Sequence, residues 1–545
     1  MATKRELARD IIERCAHLGT THVFGVPGGG SNLDVVGEAE AAGLQFVLTH
    51  TETAAAIMAG VAGEISGSPG LCLATRGPGA AAALNGVAQA DLDRQPIILF
   101  TDSVAETDWD RISHQRINQQ SLYQAVTRAT LVLTGDHDPD PVALTGLATG
   151  HQPGAVHIDL DPGATPVAKI TDRQTKLTTS LHETSLSDLL LASKRPVLAI
   201  GVGAIKGGDA HRAELCSAIA ALAATHHLPV LCTYDAAGMI PTDHPCAAGL
   251  LTAATIEAPV LHEADLIIGI GLDPVEFIPA AWNYRAPVAL LGAWPIVDST
   301  YFGEHLHGEW VGDLTELTQQ MTSLIRSSQW DLDVVSAFGP QAQADIQKAS
   351  KTSGPGLDPG RVVAIARELA PETAIATVDA GAHMLPAMGL WNTYRPCELL
   401  ISSGLATMGF SLPAAISAAL HRPGTRVVAL TGDGGLSMAL AELETLARLG
   451  GDVTVVVFND ASLSLIAAKQ AAQGHGGESA IRYRDIDYAT VAEGLGMPGI
   501  RCEDEFSYRE ALTTSFGRSG PTLIDVLVDP SSYRDIVAAV RAPRS

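Results

Sequence analysis

A chain of 545 residues with 46% apolar and 17% charged residues has the material for several buried cores, and its length sets an expectation of about three domains. A formal net charge of -25 repels polyanions, which argues against nucleic acid or an anionic membrane surface as a partner. The scattered cysteines (Cys15, Cys72, Cys216, Cys232, Cys246, Cys397, Cys502) show no paired spacing suited to zinc and read as buried reduced thiols.

In chain order, MATKRELARDIIERCAHLG reads as a charged amphipathic helix rather than a signal peptide, and no apolar run reaches the ~18 residues that span a bilayer. Both predict a cytoplasmic protein. Short β-rich runs then alternate with alanine-rich helical stretches, the pattern of parallel sheets covered on both faces. HVFGVP, QFVL, GLCLAT, PIILFT and AVHIDL are the strand candidates of a first block. After QFVL, the stretch LTHTETAAAIMAG holds a lone carboxylate, Glu52, which in isolation reads as a helix-start acid complementing the macrodipole. TDRQTKLTTSLHETS loses apolar periodicity and predicts a linker. A second block has strand candidates RPVLAIGVGA, PVLCTY, DLIIGIG and PVALLG. Its GVGAIKGG follows a strand as a dinucleotide turn would, but lacks the full glycine spacing and a clear ribose-binding acid, so FAD is admitted and not favoured. Beyond the polar segment QKASKTSGPGLDPG, a third block opens with helix RVVAIARELA and strand AIATVDAG and closes with strand TLIDVLVD. The expected fold is α/β, with three doubly wound parallel-sheet domains at 1–170, 190–330 and 355–545.

The third block carries the most specific pattern. RVVALT runs straight into Gly432, Asp433, Gly434 and Gly435; a helical stretch follows, and VTVVVF returns as a strand ending at Asn459 and Asp460. Two loops thus meet at neighbouring strand ends, the edge at which open parallel sheets bind ligands. Glycines there let backbone N–H groups approach a phosphate at a helix N-terminus. A carboxylate beside a diphosphate is repelled unless a divalent cation lies between them, so Asp433 and Asp460 read as hard oxygen ligands for Mg2+. Either tetrapeptide alone is more simply a tight turn. Their joint occurrence, a complete helix and strand apart, favours the site.

Gly432-Asp433-Gly434, 24 intervening residues and then Asn459-Asp460 resemble the thiamine diphosphate binding motif, which begins GDG and ends in NN or ND. The resemblance implies metal ligation by Asp433, Asp460 and the backbone carbonyl of Ser462, with Gly432, Gly434, Gly435 and Leu463 against the cofactor. An acid at 460, where Asn is commoner, adds negative charge and should tighten Mg2+. VFGVPGGGSN (Val23 to Asn32), the stretch from Thr49 to Ala81, LDRQPIIL (Leu92 to Leu99), TDHPCAAG (Thr242 to Gly249) and SSGLATMGFSLPAAI (Ser402 to Ile416) are similar to the corresponding stretches of the acetohydroxyacid synthase group. That group has a pyrimidine-binding, a central and a diphosphate-binding domain in this order, and the three blocks fit it.

On this resemblance Glu52 matches the acid that hydrogen-bonds N1′ of the cofactor's aminopyrimidine and promotes loss of the thiazolium C2 proton. Met408 matches the bulky residue wedged between the two cofactor rings, and Ala406 the carbonyl that accepts from the 4′-amino group. Gly28 and Gly29 match a loop facing the thiazolium. In SHQRIN, Ser113 to Asn118, Gln115 matches a glutamine brought to the reacting carbon, with His114 beside it; the plain alternative is a solvated loop. Lys469 stands where the biosynthetic synthases carry a tryptophan that selects the acceptor. This weakens branched-chain amino acid synthesis, and leaves the lysine facing an anionic acceptor or lying in solvent. The implied chemistry is decarboxylation of a 2-oxo acid, with pyruvate the conservative donor, and carboligation to a second carbonyl. A non-ligating decarboxylase or a lyase of 2-hydroxyacyl thioesters shares the early steps. Outside enzymes, the alternative is a catalytically silent cofactor-binding subunit, disfavoured because Glu52 and Asp433 are both retained. An activating acid in one domain and phosphate anchors in another imply sites built across two subunits, in a homodimer or homotetramer.

Overall fold

The structure, a computed structural model, describes residues 4–105, 108–133, 140–150, 152–160, 185–277, 281–296, 299–325, 328–351, 354–474 and 476–541. The linker expected at TDRQTKLTTSLHETS falls outside these residues except for Ser185. By its internal packing the chain divides into two compact units, one built on a first sheet and one on a second and third.

The first sheet holds β1 (His22–Val26), β2 (Gln45–Leu48), β3 (Gly70–Ala74), β4 (Ile97–Asp102), β5 (Ala129–Leu133) and β6 (Ala155–Leu160). The second holds β7 (Pro196–Ile200), β8 (Val230–Cys232), β9 (Ala247–Leu250), β10 (Leu266–Ile270), β11 (Val288–Gly292) and β12 (Leu306–Val311). In the third are β13 (Ile375–Val378), β14 (Leu399–Ile401), β15 (Val427–Gly432), β16 (Val453–Asn459), β17 (Gly499–Cys502) and β18 (Thr522–Leu527). Every pairing in the three sheets is parallel. Helices cover the sheets, so strands such as β3, β4, β7, β10 and β16 are buried at every position. That double covering is why they read as unbroken apolar runs rather than alternating ones.

The α/β class with three parallel sheets is as expected, but the sheets are not wound alike. The first runs β2-β1-β3-β4-β6-β5 and the third repeats that plan as β14-β13-β15-β16-β18-β17, whereas the central sheet runs β12-β11-β10-β7-β8-β9. The central order, counted within its own block, is that of dinucleotide-binding folds. Five strands fall outside those expected from the sequence: β5, β9, β12, β14 and β17, each at a sheet edge, although β5 (ATLVL) and β14 (LLI) are themselves short apolar runs.

Because all strands of a sheet point the same way, the loops leaving their carboxyl ends gather on one edge, where ligands of such sheets bind. Among the described residues no helix is long and apolar enough to cross a membrane, and none of the cysteines forms a disulfide; all but Cys216 are buried.

Candidate active site

At the carboxyl edge of the third sheet, β15 and β16 lie side by side with Gly432 opposite Phe458, so the loops they feed are neighbours. Asp433 is the first residue of the helix Asp433–Met438 and is 3% exposed. Its Oδ1 accepts from the Gly434 N–H at 2.6 Å and its Oδ2 from the Ser462 N–H at 3.3 Å. Asp460 accepts from the Ser464 hydroxyl, and the residue after it, Ala461, is turned to φ +55°. Burial raises both carboxyl pKa values. Asp460 is pushed to about 7, first by burial and then by the charge of Asp433, against the stabilising hydroxyl of Ser464; Asp433 also rises through burial. Two acids sharing a dry corner favour a positive charge between them. With the Ser462 carbonyl they form an all-oxygen donor set suited to a hard divalent cation. No group of three His, Cys, Asp or Glu side chains converges among the described residues, so such a cation would draw further ligands from phosphate oxygens and water, as Mg2+ commonly does.

Further features of this edge suit a diphosphate. Gly434 is flanked so closely that a Cβ would lie 3.1 Å from Leu463, 3.4 Å from Tyr483 and 3.5 Å from Met408, which brings Met408 and Leu463 together over the glycine turn. His383, 3% exposed, stacks on Phe458 with ring centroids 5.0 Å apart, and its ring atoms would stand 3.3 Å from a Cβ on Gly432. Its Nε2 is buried without a hydrogen-bond partner, an unmet acceptor beside the turn that a donor on a ligand or a water would satisfy. Burial holds this imidazole neutral, lowering its pKa from 6.5 to about 4.

Asp379, at the end of β13, ties the loops of the edge to one another. Its carboxylate accepts from the N–H groups of Ala380 (2.9 Å), Gly409 (2.8 Å) and Phe410 (3.3 Å) and from the Thr431 hydroxyl (2.9 Å). Burial raises its pKa to about 6 against those four donors. The loop it secures carries Ala406, which is exposed and held at φ +52°, a conformation costing a non-glycine residue roughly 1–3 kcal/mol and found mostly where function requires it. Lys469 lies exposed on the helix Ser464–Gln473, which has no buried residue.

The first sheet gathers a second group at its own carboxyl edge. Glu52 opens the helix Glu52–Ser66, capped by the Thr51 hydroxyl, which accepts from the Ala54 N–H at 3.2 Å. It is half-buried, and its Oε1 lies 2.9 Å from where a Cβ on Gly79 would sit. Glu52 thus sits in a helix's first turn, where an acid complements the macrodipole, and faces a glycine. The Gly28 N–H donates to the Asn32 side-chain Oδ1 at 2.8 Å, and the glycine has no room for a side chain, a Cβ falling 2.3 Å from the Thr75 hydroxyl; Gly29 faces open space. Gln115 is exposed and held at φ +57°. Its carbonyl would stand 2.4 Å from a Cβ on Gly77, itself at φ +68°, while His114 stands exposed beside it. Buried Gln119 locks this junction: its Oε1 accepts from the Gly77 N–H at 2.8 Å, and its Nε2 donates to the Asp102 carbonyl at 2.9 Å and to Asp159 at 2.7 Å.

The sequence motifs thus lead to Asp433, Asp460, Ser462, Met408 and Leu463 on one edge and to Glu52, Gly28 and Gln115 on another. They do not lead to His383, Asp379, Gln119 or Tyr483. The only trace of the first two is a Gly and a His in VDAGAH directly after a strand.

Three family models match the chain in order: the N-terminal TPP binding domain of thiamine pyrophosphate enzymes over residues 5–122, their central domain over 184–288 and their C-terminal TPP binding domain over 379–526. An acetolactate synthase of Bacillus subtilis (strain 168) is 27% identical over 546 aligned residues, covering 97% of this chain and 94% of that protein. The catabolic acetolactate synthase of Raoultella terrigena is 25% identical, with 96% and 95% covered. Acetolactate synthase isozyme 1 large subunit of Escherichia coli (strain K12) is 27% identical, with 96% and 94% covered.

Proposed function

Because the chain belongs to the thiamine pyrophosphate enzymes, whose three domain models match it in sequence order, we propose that it decarboxylates a 2-oxo acid and joins the remaining acyl unit to a second carbonyl. Similarity to acetolactate synthases along nearly its whole length supports this carboligase reading. With pyruvate as donor and acceptor, two molecules give one acetolactate and one CO2. We take the domains to be 1–170, 190–330 and 355–545 and the enzyme to work in the cytoplasm.

When bound, the cofactor supplies the carbon nucleophile and the electron sink that decarboxylation needs. Asp433, Asp460 and the Ser462 carbonyl would hold Mg2+, whose charge would offset that of the diphosphate. Backbone N–H groups of the Gly432–Gly435 turn would face its oxygens, and the neutral His383 ring would line the turn beside them. Met408 and Leu463 shape the apolar wall, and the Ala406 carbonyl receives the aminopyrimidine. Glu52 would hydrogen-bond the pyrimidine nitrogen and is the residue placed to move a proton there. Gln115, with His114, meets the substrate from a loop whose backbone is fixed by Gln119. Gly28 and Gly29 let the facing loop come close, and Lys469 lies outside the reacting centre as a solvent-side charge available to an anionic acceptor.

Two copies complete the site, each offering its Glu52 to the phosphate anchors of the other. Support comes from apolar side chains left exposed around both groups: Leu33, Leu48 and Ile117 on the first sheet, Met438, Ile466 and Tyr483 on the third. Apolar rims of this kind mark surfaces that a partner covers.

Product analysis by mass spectrometry tests the reading, using mixed 2-oxo acids with Mg2+ and thiamine diphosphate. Formation of 2-hydroxy-3-oxo acids with release of CO2 is the expected result. Aldehyde as sole product would make the protein a simple decarboxylase, and no turnover with no accelerated exchange of the cofactor's C2 proton would make it a silent binding subunit.

A further inference from the structure

The central sheet has the strand order of a dinucleotide-binding fold, and its ligand crevice is filled by the chain itself. The order reverses between β7 and β10, the place where such folds seat a pyrophosphate against backbone N–H groups of the turn after the first strand. Here those N–H groups are taken. The Val202 N–H donates at 2.8 Å to Oε2 of Glu276, whose other oxygen accepts from the Thr233 hydroxyl at the end of β8. The Gly203 N–H donates at 2.8 Å to the Gly271 carbonyl. Glu276 is 1% exposed, and a Cβ on Gly201 would lie 2.8 Å from its Oε2. The helix that follows the turn begins only at Asp209, with an acid in its first turn, which is unfavourable for a second anion.

The space beside the carboxylate is closed as well. Phe277, Trp282, Tyr301 and Phe302, from the segments after β10 and β11, pack ring on ring, with centroids 5.3 Å apart for Phe277 and Tyr301 and 4.9 Å for Trp282 and Phe302. Between Gly203, Gly271, Asp273, Gly292 and Trp294 no volume remains that a water molecule could enter.

We infer that the central domain binds no dinucleotide or flavin: Glu276 is the resident anion in the position of a nucleotide phosphate, and the aromatic group takes the space of the ring system. A phosphate entering this crevice would have to displace a carboxylate that is fully hydrogen-bonded, and would meet its charge in a dry interior. Glu276 also joins the carboxyl ends of β7, β8 and β10, since the Tyr234 hydroxyl donates to its backbone carbonyl at 2.5 Å. The cofactor requirement of this chain is therefore met in its first and third domains alone.

The test uses the full chain saturated with thiamine diphosphate and Mg2+, so that the third domain cannot take the probe. Titration of the native protein with FAD, followed by flavin fluorescence, and with ADP, followed by calorimetry, should give no saturable binding up to about 1 mM. Saturable binding of either, or flavin retained through purification, overturns the inference. Glu276→Ala should create an anion site, so that inorganic pyrophosphate raises the melting temperature of the variant and not of the native chain. Should that variant fail to fold, Glu276→Ser, which vacates the phosphate position and removes the charge while keeping a polar atom, should bind pyrophosphate at least tenfold more tightly than the native protein. Absence of any gain in the folded variant assigns Glu276 a purely structural place and defeats the proposal. None of these readouts depends on which carbonyl compounds the enzyme joins.

Discussion

Glu52 stands at the start of a helix whose next seven residues after Thr53 are buried, so its carboxyl is held in place by packing behind it and not by an ion pair. A group placed this way to exchange a proton contributes about 10²–10⁴-fold to rate. Glu52→Gln should accordingly lower kcat by at least about 100-fold while cofactor binding, measured by fluorescence quenching, stays unchanged. Near-normal turnover would remove Glu52 from the chemistry. Asp433→Asn should instead cost Mg2+-dependent cofactor retention, visible as loss of the thermal shift that cofactor and Mg2+ together produce. His383 offers a pH test. Its folded pKa of about 4 lies below the ordinary 6.5, so as pH falls below 6.5 the unfolded chain gains a proton that the folded chain refuses. Stability present above that pH is lost progressively down to about pH 4, on the order of 3 kcal/mol for this group. Melts of cofactor-free protein at pH 7 and pH 5 should show a smaller acid loss in His383→Gln than in the native chain. Glu52 and Asp433 were legible in the sequence because the strand, turn and helix around them have a fixed spacing. His383 and Asp379 were not, because one is known by an unmet nitrogen and the other by four donors from three separate segments, and neither property leaves a local pattern.

At the level of elements, legibility followed burial on both faces. β7, β10, β15 and β16 stand between neighbours and under helices, so each is an apolar run that names itself. β12 alternates between buried and partly buried residues, β17 is buried only at Cys502, and β14 is three residues long. Edge strands are short and half-covered by nature, which hides them from a search for continuous apolar runs. The turns between elements make separate predictions. Gly77→Ala forces a side chain onto the Gln115 carbonyl at φ +68° and should destabilise by roughly 1–3 kcal/mol, with a matching fall in melting temperature and in activity. Gly29→Ala meets nothing within 4 Å, so its melting temperature should hold. A fall in activity there, at constant stability, would place a ligand against Gly29.

Across the whole molecule, two plans coexist. The first and third sheets share one strand order and carry the two groups of candidate site residues, while the central sheet follows the other order. Composition could suggest three blocks but not this difference, because strand order depends on which strands pair and not on what each strand contains. The excess of negative charge, -25 overall, disfavours anionic ligands over most of the surface, so binding of one depends on local N–H groups or a bound cation.

The helix Ser464–Gln473, which follows the Asp460–Ser462 loop, buries none of its residues. A segment with no interior of its own is steadied by whatever it meets, so if the proposed pairing of chains covers it, coenzyme loading and pairing would be one equilibrium seen from two sides. Diluting the loaded protein should shed coenzyme, and excess coenzyme should drive sedimentation toward the heavier species by the same factor; occupancy that ignored dilution would show that this stretch stands unaided.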